Sequence, residues 1–463
     1  MSEYNIAVIG SGPGGFAAAV RAAQLGASVA IIEKALIGGV CLNCGCMPTK
    51  FLWQALKTKQ TINKSYEYGF KANLEPFSFA DIIAKKDKTI PNIRKGMEMI
   101  LKSYGIDVLM NEAASFKDKN TLLVGANEIT ADKIIIASGT KPSQIKDFAF
   151  NGKTIISSTH VLNLKELPAN ILIVGGGVIG VEMAAILAGF GSKVTIAEYE
   201  KCLLPSEDKD ISAEITKSLQ RQGVEVLTSC SNSLDSVGNY EKVLIVTGRK
   251  PVNELKLENA GIQTNQKGYI VTDEYGKTNI ENIYAVGDIA GKNLLAYTAQ
   301  HEGEVAAEQA MGQSGKWKVE SGINDNIPGL PCNACNDGER QVVPLVTFSM
   351  PPSASVKVSN YGEYKNVLFG KFPFTASGRA FIENERSGFV KCAVDADTRE
   401  PLAFWIIGAH ADEIINTAAQ IIKNAKPLSR ENFFHPSLTE SLYNAYEDAF
   451  GRCTENAKVK SGK

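Results

Sequence analysis

Three cysteines fall within six positions of "GGVCLNCGCMPTK" (residues 38–50): Cys41, Cys44 and Cys46. Thiols at this density point to redox chemistry or to metal. Two thiols make a disulfide, whereas a structural zinc site takes four ligands. Cys41 pairs with Cys44 as a Cys-x2-Cys and with Cys46 as a Cys-x4-Cys, and at this point the choice stays open. A second Cys-x2-Cys, Cys332 and Cys335 in "PCNAC", lies far downstream. Nine cysteines, an odd count, argue against a secreted disulfide framework. Proton chemistry has its own candidates in "FFHPSLTE", where Glu440 follows His435 by five residues. An imidazole titrates near working pH and suits taking a proton from a thiol. Pro436 favours the first turn of a helix, which would set His435 at the helix start with Glu440 reaching back to orient the ring.

Two glycine-rich turns would place a nucleotide beside such groups. The apolar run "YNIAVIG" leads into "GSGPGG", a helical "FAAAVRAAQLG" and a second strand "SVAIIEK". This is a βαβ unit with Gly10, Gly12 and Gly15 in the turn and Glu33 at the end of the second strand. Glycines there let a backbone approach a pyrophosphate at a helix N-terminus, and the acid accepts ribose hydroxyls. "ILIVGGGVIG" repeats the pattern with Gly175, Gly177 and Gly180, and "KVTIAEYE" supplies Glu198. In both copies the acid stands 23 residues after the first glycine. One such motif is weak evidence; two at matched spacing imply two dinucleotide carriers exchanging electrons. "ADKIIIASGTKP" reads as a buried strand ending at the Gly139 turn, and "YAVGD" sets Asp288 at the end of another, placed for a ribityl or pyrophosphate contact.

The totals narrow the class. At 463 residues the chain has room for about three domains. Hydrophobic residues make 44% and charged residues 21%, as in ordinary globular proteins with sizeable cores. A net charge of −1 without a basic block excludes nucleic acid or an anionic membrane as the main partner. No apolar run approaches the roughly 18 residues of a membrane span, and a strand-like run begins at once in "MSEYNIAVIG". A cytoplasmic location is the expectation.

Together these motifs resemble the class I pyridine nucleotide-disulfide oxidoreductases, dihydrolipoamide dehydrogenase-like. The resemblance runs from Tyr4 to about Phe450 through "GSGPGG", the Cys-x4-Cys stretch, "GGGVIGVE", "VTGRKP", "YAVGD", "GKFPFTASGRA", "IIGAHADEII" and "HPSLTE". It implies an α/β fold with two Rossmann-like dinucleotide-binding domains, for FAD and NAD, and an α+β C-terminal dimerisation domain. The expected boundaries are 1–145 for the first part of the FAD domain, 146–271 for the NAD domain and 272–310 for the return to the FAD domain. An atypical loop follows at 311–343, and the interface domain at 344–463 makes a homodimer.

The resemblance also assigns roles. It implies a working Cys41–Cys46 disulfide, with Cys46 against the flavin and Cys41 exchanging with substrate. Residues five apart on a regular helix stand too far apart for a disulfide, so Cys41 is expected on an irregular approach that Gly38 and Gly39 permit. Lys50 and Glu182 would pair beside the flavin, and His435 from the opposite subunit would serve as acid/base. Phe433 departs from the family by replacing a second histidine; His160, His301 and His410 read as structural. The implied reaction moves electrons between NAD(H), FAD, the disulfide and a lipoyl-bearing protein or small disulfide. Alternatives are a mercuric reductase-like enzyme or a flavoprotein subunit with weakened NAD activity.

Two stretches leave the pattern. Only "SNSLDSVGNYE" separates Cys230 from "KVLIVTGRKP", so the NAD domain reads as trimmed by about one meander. Glu198, with no nearby Arg for a 2′-phosphate, favours NAD over NADP. The loop holding Cys332 and Cys335 is rich in Gly, Asn, Asp and Pro; its cysteines read as a redox dithiol, half a zinc site or plain turn residues. Cys44 either fills an aliphatic slot, or it or the loop dithiol relays electrons from Cys41 to a bulky disulfide that cannot enter the cleft. Cys202, Cys392 and Cys453 read as inert.

Overall fold

Ile6 and Val8 face one side of the first strand and Ala7 and Ile9 the other, and both sides are buried. A strand covered on two faces reads as a continuous apolar run rather than an alternating one. The structure, a computed structural model, describes residues 2–146, 148–230, 237–252, 254–312 and 342–456. The Cys332–Cys335 pair lies outside the described residues. The chain divides into two units: 1–147, 157–165 and 248–337 form the first, and 148–156, 166–247 and 338–463 the second.

The first unit opens with β1 (Ser2–Ile9), α1 (Pro13–Gln24) and β2 (Val29–Glu33). The short helix α2 (Gly39–Cys44) follows, then α3 (Cys46–Asn63) and the long α4 (Phe79–Ser103). β3 (Asp107–Met110) joins the sheet, and β4 (Ala114–Phe116), β5 (Thr121–Val124) and β6 (Asn127–Ile136) extend it as an antiparallel meander. The order is β3-β2-β1-β6-β5-β4, with β1, β2, β3 and β6 parallel at the centre. β7 (Thr140–Pro142) leaves this sheet.

The chain then alternates between units. β8 (Ile155–Ile156) belongs to the second and α5 (Ser158–Val161) to the first. Next come β9 (Asn170–Val174), α6 (Val178–Phe190), β10 (Lys193–Ala197), α7 (Lys209–Arg221), β11 (Glu225–Leu227) and β12 (Lys242–Ile245) of the second unit. Their sheet, β11-β10-β9-β12-β8, is parallel throughout, so β12 lies directly on β9.

Returning to the first unit, β13 (Arg249–Pro251) pairs with β7, and β14 (Ile283–Ala285) adds to β6. α8 (Ala296–Ala310) packs on α1 so closely that a Cβ on Gly303 would sit 2.1 Å from the Gly14 carbonyl oxygen.

The C-terminal part of the second unit is an antiparallel sheet under two helices. Its strands are β15 (Leu345–Thr347), β16 (Ser353–Lys357), β17 (Val367–Pro373), β18 (Phe389–Asp395) and β19 (Pro401–Ile407), in the order β15-β16-β19-β18-β17. The one-turn α9 (Gly378–Ile382) follows β17, α10 (Ala411–Asn424) covers β16 and β19, and α11 (Glu440–Ala449) covers β17 and β18. One α/β sheet parallel at its centre, a second parallel throughout and one α+β layer make the architecture that the resemblance implied.

α11 reaches β17 through a missing side chain. A Cβ on Gly370 would lie 2.0 Å from the Ala445 oxygen and 2.3 Å from the Ala449 nitrogen. Because α11 begins with Glu440, this contact also sets one of the candidate site residues. Gly370→Ala should overpack the seam and destabilise the protein by about 1–3 kcal/mol, read as a lower urea midpoint. An unchanged midpoint would mean that the helix adjusts freely.

Candidate active site

Each glycine-rich turn is built by one contact that excludes a side chain. Gly10 and Gly175 adopt φ of 98° and 113°, which only glycine enters readily. A Cβ on Gly15 or Gly180 would fall 1.9 Å from the carbonyl oxygen of Gly10 or Gly175, so α1 and α6 start hard against their turns. Gly12 and Gly177 have open space where a Cβ would project. They are the N-caps of α1 and α6, and neither supplies a side-chain cap. Open backbone and uncapped helix N–H groups are what a pyrophosphate requires.

The acids close the same design in both units. Glu33 accepts hydrogen bonds from Ser11 N (3.0 Å), Ser11 Oγ (2.6 Å) and Ala35 N (2.9 Å). Glu198 accepts from Glu200 N at 2.7 Å and, through its other oxygen, from Gly176 N. Each carboxylate thus ties its strand end to the turn one residue past the first glycine. In the first unit, the Ser138 hydroxyl is buried without a hydrogen-bond partner beside Gly10. An orphaned donor at the mouth of the sheet fits a polar cofactor. Asp288 accepts from Thr140 Oγ1 at 2.6 Å, and Arg249 donates to Thr140 Oγ1 and O, both at 2.7 Å. Gly139, with φ of 71°, opens this turn.

The cysteine stretch is two helices with a break. α2 ends at Cys44, Gly45 interrupts it, and Cys46 is the first residue of α3. Cys41 therefore sits within a helix, and the irregularity falls after it rather than before it. A Cβ on Gly45 would lie 2.9 Å from the Val40 oxygen, so the chain folds back there only without a side chain. The fold-back brings the Cys41 and Cys46 thiols into hydrogen-bonding contact. That hydrogen bond, then burial, holds the Cys41 thiol far above its ordinary value, while the Lys50 ammonium pulls the other way. Cys44 has a different neighbourhood. Burial pushes its thiol up, opposed by a hydrogen bond with Thr159 and by the Arg249 charge. Asn43 anchors the stretch: Nδ2 donates to Leu36 O, Ile37 O and Gly39 O, and Oδ1 accepts from Arg94 Nε and Nη2 at 3.0 and 2.7 Å.

His435 and Glu440 do meet, although not as the start of a helix. Pro436 to Thr439 are non-helical and α11 begins at Glu440 itself. Glu440 Oε2 lies 3.0 Å from His435 Nδ1 and accepts from Arg430 Nη2 at 2.7 Å, and Oε1 accepts from Ser437 N at 3.1 Å. The Glu440 side chain is 4% exposed and the His435 side chain 65%. Burial works to raise the Glu440 carboxyl, but hydrogen bonds to His435, Arg430 and Ser437 outweigh it and hold the group below its ordinary value. Phe433 is buried against Tyr443. Glu182, buried in α6, accepts from Phe348 N at 3.0 Å. Lys50 belongs to the first unit and Glu182 to the second, and their pairing stays a proposal. His160 caps α5 with Ser157, and His410 Nε2 lies 3.3 Å from Glu383.

Residues 4–303 match the pyridine nucleotide-disulphide oxidoreductase family, and residues 343–446 match its dimerisation domain. The chain belongs to this family. It is 34% identical to the dihydrolipoyl dehydrogenase of Geobacillus stearothermophilus, with 97% of each chain covered. The dihydrolipoyl dehydrogenase of Thermus scotoductus is also 34% identical, over 96% of this chain and 97% of the relative. Among solved structures, the HOCl-induced flavoprotein disulfide reductase RclA from Escherichia coli superposes with a TM-score of 0.80 at 29% identity, covering 96% of this chain and 99% of that one. LpdA from Mycobacterium tuberculosis, at 22% identity and TM-score 0.82 over 96% and 99%, shares the fold. The protein is a dihydrolipoyl dehydrogenase-like, FAD-dependent disulfide oxidoreductase that uses NAD(H), and its dimerisation domain makes it a homodimer. No helix among the described residues is long and apolar enough to cross a membrane.

Several residues of this oxidoreductase escape sequence reasoning. Asn43 stood inside the quoted stretch without a visible role, and Arg94 lies 51 residues away on another helix. Arg430 precedes His435 by five residues in a segment with no helical period to relate them. One consequence concerns acid. A carboxyl whose folded-state pKa is depressed contributes stability above its unfolded value, near 4.3 for Glu, and loses it as pH falls through the folded value. Glu440→Gln should therefore be less stable than the parent at neutral pH, and urea midpoints should converge toward pH 3. A gap that stays constant with pH would assign the loss to packing instead.

Proposed function

We propose that Cys41 and Cys46 are the redox pair of a lipoyl-directed reductase and dehydrogenase, with His435 of the opposite subunit as acid/base. The observation that carries this reading is the Cys41–Cys46 thiol pair, set in hydrogen-bonding contact across the Gly45 break between two helices. A thiolate is the nucleophile in disulfide exchange. A thiol must give up its proton to attack, so the pair calls for a base, and His435 is oriented as one by Glu440.

The roles of the chain's residues follow. Gly10, Gly12, Gly15 and Glu33, with Gly139 and Asp288, would hold FAD; Gly175, Gly177, Gly180 and Glu198 would hold NAD. Bound FAD supplies hydride transfer between NAD(H) and the thiol pair. In the disulfide-reducing direction, the Cys41 thiolate attacks one sulfur of the substrate disulfide and a mixed disulfide forms. The departing substrate thiolate takes a proton from His435. Cys46 then gives its proton by way of His435 to the second departing sulfur and attacks the Cys41 sulfur, which closes the Cys41–Cys46 bond and releases the second substrate thiol. Two thiols are oxidised and one disulfide is reduced, and both protons end on the product.

The dihydrolipoyl dehydrogenases among its relatives support a lipoyl group as substrate. An assay of the NADH-reduced holoenzyme with lipoamide, glutathione disulfide, cystine and mercuric ion tests this. Lipoamide should turn over at least tenfold faster than the others, and Cys41→Ser should lose that turnover while retaining FAD. A clear preference for another acceptor would overturn the lipoyl assignment and leave the thiol pair in place.

A further inference from the structure

The acid/base dyad carries a third member. Glu440 Oε2 is shared: His435 Nδ1 lies 3.0 Å from it, and Arg430 Nη2 donates to it at 2.7 Å. The other carboxylate oxygen is occupied by Ser437 N. Arg430 is itself held in place. It belongs to the turn Arg430–Asn432, Nη1 donates to Phe433 O at 3.4 Å, and the guanidinium lies over the Tyr443 ring at 5.8 Å. A carboxylate acting alone on an imidazole favours the protonated ring. Here a permanent cation binds the same oxygen, drawing off part of that charge and facing the ring with a like one.

We propose that Arg430 is a positioning residue of the thiol reaction: by sharing Glu440 Oε2 it lets the carboxylate orient His435 without trapping the ring as imidazolium. Glu440 then holds the ring by Nδ1 and leaves Nε2 as the nitrogen that exchanges the proton. Tyr443, the ring under Arg430, has Glu447, Arg452 and Cys453 around it. Arg430 is the cation that binds the shared oxygen directly.

This inference rests on His435 as the base, so the test separates the two. In the FAD-loaded dimer, kcat/KM for dihydrolipoamide oxidation by NAD is measured across pH for the parent, Arg430→Met, Arg430→Lys and His435→Gln. The His435 ring is followed in parallel by NMR of histidine-labelled protein, its signal assigned among four histidines by its loss in His435→Gln. In Arg430→Met the acid limb and the ring titration should both move up by about one pH unit. The rate below the limb should fall about tenfold. Arg430→Lys, which keeps the charge, should leave both in place although kcat drops. Should Arg430→Met fail to fold, Arg430→Gln serves as the neutral variant. A uniform loss of rate with an unmoved limb, or equal behaviour of the Lys and neutral variants, overturns the role of Arg430. If His435→Gln itself retains dithiol turnover, the base assignment falls and the proposal falls with it.

Discussion

The thiol pair of this protein depends on ending one helix and starting another at a single glycine. Within an uninterrupted helix, Cys41 and Cys46 would project on different sides and their sulfurs would not meet. Gly45 breaks the run where any Cβ would press on the Val40 carbonyl, and the fold-back sets the two thiols in contact. The neighbouring groups secure that geometry. Thr49 Oγ1 donates to the Gly45 oxygen at 2.7 Å, and Asn43 binds three carbonyls of the preceding segment. The Gly39 backbone packs against Gly12 so tightly that a Cβ on Gly39 would lie 2.8 Å from the Gly12 Cα. The redox stretch and the first glycine-rich turn are therefore one packed assembly.

Three buried carboxylates organise the rest, and they do so in the same way. Glu33 and Glu198 each accept from a backbone N–H in the glycine turn and from another two residues further along the chain. Glu440 accepts from Ser437 N on one oxygen and serves His435 and Arg430 with the other. An ionised carboxylate is acceptor-only, with room for several donors, so one side chain both fixes local backbone and leaves an edge for a ligand or a catalytic ring.

Much of this was legible in the residues because close backbone approaches demand glycine. The paired glycine spacings announced both turns, and the acids 23 residues later marked the ends of the second strands. His435 and Glu440 were readable as partners, although the helix start was misplaced: Pro436 favours a first turn, yet Ser437 and Thr439 precede the helix instead. The cysteine break falls at Gly45, after Cys41, for a related reason. Gly38 and Gly39 do adopt left-handed φ, of 92° and 56°, but they open α2 rather than keep Cys41 out of it. What spacing could not reveal were contacts between distant segments, such as Arg94 with Asn43 or Cys44 with Thr159. Those partners are brought together by tertiary packing, which leaves no local period in the chain.

A disulfide between Cys41 and Cys46 would store an electron pair in series with the flavin. Anaerobic reductive titration of the holoenzyme, with free-thiol counting at each step, tests it most directly. Uptake of two electron pairs per chain is expected, one by the flavin and one by the dithiol couple. Cys41→Ser and Cys46→Ser should each take up only the flavin's pair. Two pairs retained in either serine variant, or a second pair lost only when Cys44 is replaced, would contradict it.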